Sequence, residues 1–372
     1  MRHVDEESFS TFRRKCNLKK QIIFHIGMEK TGTTSLQNFC HNNRRLLLAH
    51  DILYPTTRLS YSFWRRNHLP LVAAYLRERD DNSLDLSPFP GSRAQVVSAL
   101  HREIARSPAR TVLISAEHLS SRFSALDIEK LAADFSQFDC LIAATVRRHD
   151  SFVGAAHSTA VNAGAHFTID EYFQHMSLPG ARYARFAEIL AAWSSVFGRQ
   201  ALRLFVYENH GDMTDPILRC ADPEFSPSAA PRLNRSLESG PASLSVIRRF
   251  NRDLFESGDF DSDPITNALI WVARWRLKAA AAKLRAGPDR DMRARPETLA
   301  RFKEIAELDR ISLRENFGVD LPEMPAVEEH VVSEELDHAA REFLAKTKIA
   351  RSLFLRAARH WSRLRRSRGW GS

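Results

Sequence analysis

The feature that most constrains the fold of this chain is a short apolar run that ends in a glycine and continues into an amphipathic segment. QIIFHIG, residues 21–27, has the length and the apolar composition of a buried strand. From residue 35 to residue 48, apolar side chains recur on one face of a helix. A strand therefore leads through a tight loop into a helix, which is a building unit of parallel α/β sheets.

The loop, within HIGMEKTGTTSLQ at residues 25–37, has the composition of an anion-binding site. Gly27 and Gly32 have the G-x-x-x-x-G spacing of nucleotide triphosphate loops, in which Lys and then Ser or Thr follow the second glycine. Here threonine follows it, and Lys30 lies between the glycines. Free N–H groups at a helix N-terminus, hydroxyl groups and a lysine suit a phosphate group. The displaced lysine argues against an ATP site that holds magnesium.

Strand and helix patterns alternate through the first part of the chain, which predicts an α/β fold with a parallel sheet. We expect a P-loop-like, three-layer arrangement in which helices flank a central parallel sheet, followed by a helical C-terminal part and a basic tail. The predicted divisions are a lead-in over 1–19, a main domain over 20–322 and the tail over 323–372. The other predicted elements are strands at 110–119, 139–148 and 201–208, and helices at 127–138, 181–197, 245–255, 265–284 and 296–317.

The formal net charge of +9 is concentrated at the C-terminal end of the chain. Residues 339–372 carry ten Lys or Arg and one acid, so this segment accounts for the whole excess of positive charge. The excess of basic over acidic residues therefore lies in the C-terminal tail and not on the surface of a basic domain.

Cysteine usage and hydropathy favour a reduced, cytoplasmic protein. The four cysteines form no C-x-x-C pair, so we expect neither a metal site nor a redox pair. There is no apolar run of about 18 residues that would span a membrane. The polar first twenty residues lack the apolar segment of a secretory signal.

KTGTT between a strand and a helix resembles the 5′-phosphosulfate-binding loop of sulfotransferases that use 3′-phosphoadenylyl sulfate (PAPS), closest to bacterial and carbohydrate-type members. The resemblance extends loosely over about residues 20–320, and only this loop is specific. It implies that Lys30 contacts the bridging oxygen and the sulfonate as the catalytic lysine. The cofactor-binding loop residues that it implies are Gly27, Lys30, Thr31, Gly32, Thr33, Thr34 and Ser35.

The family has a second element, an arginine that ends a strand and a serine about eight residues later, which together hold the 3′-phosphate. Arg147 fits the first position, but Ala155 stands where the serine is expected. Ser158 lies about one helical turn later and is our candidate replacement. Asn234 and Ser236 lie where relatives often return to the cofactor, although a plain polar loop explains them as well.

Transfer of a sulfonate to a hydroxyl group needs a base that takes the proton of the acceptor. Glu117 lies at the carboxyl end of the strand predicted over 110–119, and His68 lies before this strand in a segment that a substrate could contact. Family members use either a glutamate or a histidine, so both residues remain candidates, with His118, Glu29 and His25 behind them. By resemblance, the acceptor is a saccharide or a glycolipid.

The basic tail combines its cations with apolar residues three or four positions apart over residues 339–368, as an amphipathic helix does. Such a helix can lie on an anionic membrane, where each cation adds about 1 kcal/mol. Packing on the domain and a solvated tail are the alternatives. We expect no specific nucleic-acid binding, because the chain lacks a known nucleic-acid-binding module.

The sequence therefore predicts a PAPS-dependent sulfotransferase that needs no metal. Two other classes remain open. One is a P-loop kinase or NTPase with an atypical loop, and the other is a non-catalytic protein that binds membranes or nucleic acid.

Overall fold

The computed structural model describes residues 19–56, 66–81, 84, 86, 89, 91–226, 241–257, 263–281, 294–325, 333–346 and 353–367. Almost all of the predicted lead-in lies outside these residues, and so do Asn234 and Ser236.

A parallel sheet forms the centre of the fold. The described residues form five strands in the order β2-β3-β1-β4-β5, and every neighbouring pair is parallel. This sheet confirms the predicted α/β class. The strands are β1 (Gln21–His25), β2 (Ile52–Leu53), β3 (Thr111–Ser115), β4 (Asp139–Val146) and β5 (Leu202–Val206).

Helices occupy most of the remaining described residues. Nearly all the predicted helices are present, with shifted ends, and additional helices precede β3 and follow β4. The helices are α1 (Thr33–Asn42), α2 (Arg44–Ala49), α3 (Leu69–Glu78), α4 (Arg93–Arg106), α5 (His118–Arg122), α6 (Ala125–Asp134), α7 (His149–Ala163), α8 (Ile169–Met176), α9 (Phe186–Phe197), α10 (Tyr207–His210), α11 (Thr214–Ala221), α12 (Pro241–Ser257), α13 (Pro264–Ala281), α14 (Pro296–Phe317), α15 (Ser333–Lys346) and α16 (Leu353–Ser367).

The chain divides into two compact units. The first comprises residues 1–148, 185–235 and 309–323 and contains the whole sheet. The second comprises residues 149–184, 236–308 and 324–372 and is helical in its described part. The predicted domain boundaries at residues 19 and 322 stay predictions.

The sheet is buried on both faces, because successive side chains of a strand point to opposite sides. Ile23 of β1 packs in a cluster with Leu36 and Phe39 of α1. Phe24, the next residue, contacts Phe135 edge-on, with 5.3 Å between the ring centroids. This alternation explains why QIIFH is almost entirely apolar: a central parallel strand has no solvated face.

Local signals explain where the elements differ from the sequence-based expectation. The helix predicted over 35–48 is interrupted at Asn43, whose side-chain amide donates to the Phe39 carbonyl at 2.9 Å. Helix α6 begins two residues earlier than predicted, because Ser124 and Asp127 form a capping box. Strand β2 has two residues, too few to produce a periodic pattern.

The second unit has its own apolar core. It joins α12, α13, α15 and α16 through side chains that include Phe250, Leu277, Leu344 and Leu355. Among the described helices, none is long and apolar enough to cross a membrane.

Trp193 is the largest fully buried side chain of the first unit and allows a test of its packing. It stacks on Phe123 and Phe197, with centroid distances of 6.3 and 5.8 Å. Trp193→Ala should lower the free energy of unfolding by about 3–5 kcal/mol, because it leaves a cavity. Trp271→Ala is the matched control, because Trp271 is 63% exposed. Urea unfolding followed by circular dichroism measures both, and equal effects would contradict this packing.

Candidate anion-binding site at the carboxyl edge of the sheet

The candidate site lies where β1 and its two neighbours end. The carboxyl ends of parallel strands share one edge of the sheet, where ligands of open α/β sheets bind. Because β1 lies between β3 and β4, the loop over 26–32 has Glu117 on the side of β3 and Arg147 on the side of β4. These groups are separated by tens of residues in sequence, and the strand order brings them to the same edge.

The loop is attached to both neighbouring segments. Pairing with β4 continues beyond the end of β1, as the N–H groups of Ile26 and Met28 donate to main-chain carbonyls of β4 at 3.0 and 3.2 Å. On the other side, the Ser120 hydroxyl donates to the Gly27 carbonyl at 2.8 Å. Within the loop, the buried Thr31 hydroxyl donates to the Met28 carbonyl. Thr31, predicted to bind the cofactor, thus uses its side chain to fix the loop.

Three loop residues have positive φ angles, namely Gly27 at 25°, Lys30 at 65° and Gly32 at 82°. A Cβ at Gly27 would lie 2.6 Å from the methyl carbon of Thr33, so glycine is required there. The left-handed region is disfavoured for a lysine. Nη1 of Arg147 donates to the Lys30 carbonyl at 2.7 Å and helps to hold this conformation. The loop therefore carries backbone strain at its cation, a pattern that occurs at functional sites.

Helix α1 directs its N-terminus toward the loop. Gly32 is its N-cap, and within the described residues no side chain caps this end. An uncapped N-terminus leaves N–H groups and partial positive charge available to an anion. Thr34 is exposed and Ser35 is half-buried, whereas Thr33 is buried. The arrangement suits a phosphate or sulfate group, with the hydroxyl groups of Thr34 and Ser35 beside it.

Arg147 also lies on an aromatic ring, with its guanidinium carbon 4.7 Å from the ring centroid of Tyr207. It therefore connects the loop after β1 with the residue that follows β5. Ser158, its predicted partner for the 3′-phosphate, lies on α7 in the second unit and is half-buried. The joint role of Arg147 and Ser158 stays a prediction.

Glu117 is the candidate base that follows β3, beside the start of α1. It immediately precedes α5 and is half-buried. Nε2 of Gln37, one turn into α1, lies 3.3 Å from Oε2 of Glu117 and 3.3 Å from the Ser115 hydroxyl. Gln37 thus orients the Glu117 carboxylate relative to α1.

His68 has a different environment, because it is buried with 1% of its surface exposed. Its Nδ1 accepts from the Ser115 N–H at 2.9 Å, and its Nε2–H donates to the Pro55 carbonyl at 3.2 Å. Burial lowers the pKa of His68 to about 4, so the ring is neutral near pH 7. Both nitrogens bind main chain, so His68 would have to break a hydrogen bond to accept a proton.

The other residues considered as bases form two further contacts near the loop. His25 is buried, its Nδ1 lies 2.9 Å from the Ser115 hydroxyl, and burial lowers its pKa to about 3. His118 Nδ1 lies 3.2 Å from Oε1 of Glu29, which also accepts from the Ser121 hydroxyl at 2.9 Å. Glu29 and His118 thus connect the loop to α5.

Three residues of the site were missed at the level of sequence, namely Gln37, Ser120 and Tyr207. Gln37 lies within the motif at residues 25–37, and Ser120 lies three residues after Glu117. The sequence position of each could therefore have marked it as a candidate site residue. Tyr207 lies near the carboxyl end of the strand predicted over 201–208, which is where site residues of parallel sheets occur. Among the described residues, no group of three or more His, Cys, Asp or Glu side chains could hold a metal ion.

No family model matches the sequence, and no curated protein matches it either. Among solved structures, a sulfotransferase from Alicyclobacillus acidocaldarius is similar, with 13% sequence identity and a TM-score of 0.38. The similarity covers 80% of this chain and 96% of that chain. A similarity this low supports no conclusion about function, which depends on the residues of this chain.

The two buried histidines predict how stability depends on pH. The folded pKa values of about 3 for His25 and about 4 for His68 lie below the usual histidine value. Below about pH 6.5 the unfolded chain binds protons that the folded chain does not. The free energy of unfolding should therefore decrease as the pH is lowered. The slope should reach about 1.4 kcal/mol per pH unit for each histidine, until pH falls to the folded pKa.

His68→Gln should therefore lower this slope by the contribution of one histidine, whatever its effect on absolute stability. His210→Gln is the matched control, because His210 is exposed. Urea unfolding at a series of pH values between about 7 and 5 gives the slopes. An unchanged slope in His68→Gln would show that His68 titrates normally in the folded protein.

Proposed function

We propose that this chain is a sulfotransferase that moves the sulfonate of PAPS to a hydroxyl group of an acceptor. The observation that carries the proposal is the position of Lys30: it lies inside the loop at a strained φ of 65°, and its carbonyl is held by Arg147. A cation at this position can reach the sulfonate, which would lie between the loop and an incoming acceptor. A lysine after the second glycine would instead contact the β- and γ-phosphates of ATP.

The loop and α1 would bind the 5′-phosphosulfate end of the donor. Backbone N–H groups at the start of α1 point toward this anion, and the exposed Thr34 hydroxyl can donate to it. Arg147 would bind the 3′-phosphate. A guanidinium has five N–H donors, so Arg147 can keep the Lys30 carbonyl while it binds a phosphate. Donor binding would then also fix the shape of the loop.

The reaction forms a bond between the acceptor oxygen and sulfur and breaks the bond between sulfur and the 5′-phosphate oxygen. Glu117 would accept the proton of the acceptor hydroxyl, and Lys30 would stabilise the charge that develops on the departing phosphate oxygen. Gln37 would hold the Glu117 carboxylate in place through its 3.3 Å contact. We prefer Glu117 to His68, because both ring nitrogens of His68 bind main chain.

The acceptor would carry its hydroxyl group on a sugar. A saccharide or glycolipid follows from the resemblance of HIGMEKTGTTSLQ to carbohydrate-type sulfotransferases. A P-loop kinase or NTPase would need ATP and magnesium, and the position of Lys30 disfavours that alternative. A non-catalytic protein would bind neither the donor nor the product.

The donor site is tested by calorimetric titration with adenosine 3′,5′-bisphosphate, the product that remains after transfer. Wild type should bind it and should not respond to ATP with magnesium. Lys30→Ala and Lys30→Gly should both weaken binding at least about tenfold, the equivalent of about 1.4 kcal/mol for one lost charge-assisted contact. Lys30→Gly relieves the left-handed strain while it removes the cation. Comparison of the two variants therefore separates the effect of the lost charge from the effect of a changed loop shape.

Lys130→Ala is the matched control, because Lys130 lies on α6 and pairs with Glu78 at 3.1 Å. Its affinity should equal that of wild type. Binding of ATP with magnesium in place of the bisphosphate would assign the chain to the kinases, and binding of neither would overturn the proposed donor.

The base is tested by Glu117→Gln, which keeps the shape of the side chain and removes its ability to accept a proton. The rate of radiolabelled sulfonate transfer to a saccharide acceptor should fall by about 10²–10⁴, with bisphosphate affinity unchanged. Glu129→Gln is the control, since Glu129 is exposed on α6. A large loss of rate in a folded His68→Gln variant, with full activity in Glu117→Gln, would assign the base to His68 instead.

A further inference from the structure

The left-handed conformation of Lys30 needs support on both sides of this residue. Because peptide groups are planar, the φ angle of 65° fixes the peptide before Lys30 relative to the peptide after it. Such a conformation persists only where the surrounding structure determines it. The contact between Arg147 and the Lys30 carbonyl holds the peptide that follows. The peptide that precedes Lys30 belongs to Glu29, so the support of Glu29 is the second requirement.

The side chain of Glu29 is attached to α5. Its Oε1 accepts from the Ser121 hydroxyl at 2.9 Å and lies 3.2 Å from Nδ1 of His118. The side chains of Glu29 and His118 are only 15% and 20% exposed. Water and salt therefore screen this contact less than they screen an ion pair on the surface. Both sides of Lys30 are thus held, one by Arg147 and the other by α5.

Nδ1 of His118 depends on Glu29 for a partner. This nitrogen is buried, and within the described part of the chain it lies near no other acceptor. An ionised carboxylate can only accept a hydrogen bond, so the ring nitrogen that faces it has to carry the proton. A buried polar group that loses its partner is destabilising. The contact therefore keeps the Glu29 side chain at α5 rather than in the solvent.

This contact joins the neighbours of the two groups that would act in the transfer. Glu29 directly precedes Lys30, and His118 directly follows Glu117. A second attachment of α5 to the loop is the hydrogen bond from the Ser120 hydroxyl to the Gly27 carbonyl. The distance between the lysine and the carboxylate thus depends on how the loop is attached to α5. A displacement of about 1 Å between reacting groups can lower a rate about 10²-fold.

We propose that Glu29 and His118 act as a pair of positioning residues that set the place of Lys30 relative to Glu117. The inference rests on the proposed function. Neither member of the pair has to touch the donor or the acceptor. Loss of either member moves Lys30 and slows the transfer step, while the groups that bind the acceptor stay in place. Loss of both members has the same effect as loss of one, because the pair acts as a unit.

The test uses the full chain with Glu29→Ala, His118→Ala and the double variant. Each of the three should lower kcat for radiolabelled sulfonate transfer to a saccharide acceptor by about 10–10²-fold, with KM for the acceptor unchanged. The loss in the double variant should equal the loss in each single variant. Without any donor, hydrogen exchange of the amides over 26–32 should be faster in Glu29→Ala than in wild type, because the loop is less restrained.

Glu29→Gln distinguishes a positioning role from proton transfer. Its amide oxygen can still accept from the Ser121 hydroxyl and from His118, so most of the rate lost in Glu29→Ala should return. An amide cannot take up the proton of the acceptor. A loss in Glu29→Gln as large as that in Glu29→Ala would therefore make Glu29 the base and overturn the positioning role.

Asp222→Ala is the matched control, because it removes a pair of the same kind in the same unit. Nδ1 of His50 lies 2.8 Å from Oδ2 of Asp222, and His50 precedes β2, at the opposite edge of the sheet. This variant should keep the wild-type kcat and the wild-type exchange of the loop amides.

Three results would overturn the role of the pair alone: a wild-type kcat in Glu29→Ala, losses that multiply in the double variant, or loop exchange that Glu29→Ala leaves unchanged. Failure of the proposed function has a different signature, since wild type itself would then neither bind the bisphosphate nor transfer sulfonate. The role of the pair in transfer would fall with it.

Discussion

The hydrogen bonds that pair β1 with β3 on one side and with β4 on the other determine where the chemical groups of this protein lie. They make β1 the central strand, so its apolar side chains are buried on both faces of the sheet. They also place the loop over 26–32 between the residues that follow β3 and β4. Pairing continues into the loop through the N–H groups of Ile26 and Met28, which gives a strained segment a rigid support.

The same edge of the sheet contains both buried and half-buried candidate bases. His25 and His68 are buried, and desolvation keeps both neutral by lowering their pKa values. Nδ1 of His25 contacts the Ser115 hydroxyl, and Nδ1 of His68 accepts from the Ser115 N–H, so both histidines are attached to the end of β3. Glu117 lies at the same edge but is half-buried, beside Gln37. Burial, more than residue type, therefore distinguishes these candidate bases.

The two units contain different kinds of surface. The first has the strained loop, a helix N-terminus that no described side chain caps, and the Glu117 carboxylate, which together suit an anionic ligand. The second exposes Trp271 and Trp275 on α13, and neither α13 nor α16 contains an acidic residue. Part of the basic C-terminal segment is thus a packed helix, because α16 contacts α13 through Ser362 and Thr266.

The sequence by itself determined the α/β class, the position of the candidate loop after β1 and the residues at its centre, because these depend on local features: an apolar run, glycine spacing and a lysine between the glycines. Only the tertiary structure decided which distant residues meet them. Arg147 holds the Lys30 carbonyl, and Gln37 contacts Glu117, because β1 lies between β3 and β4, and no local pattern encodes that strand order. Burial likewise distinguished His68 from Glu117, since exposure depends on packing between segments that are far apart in the chain.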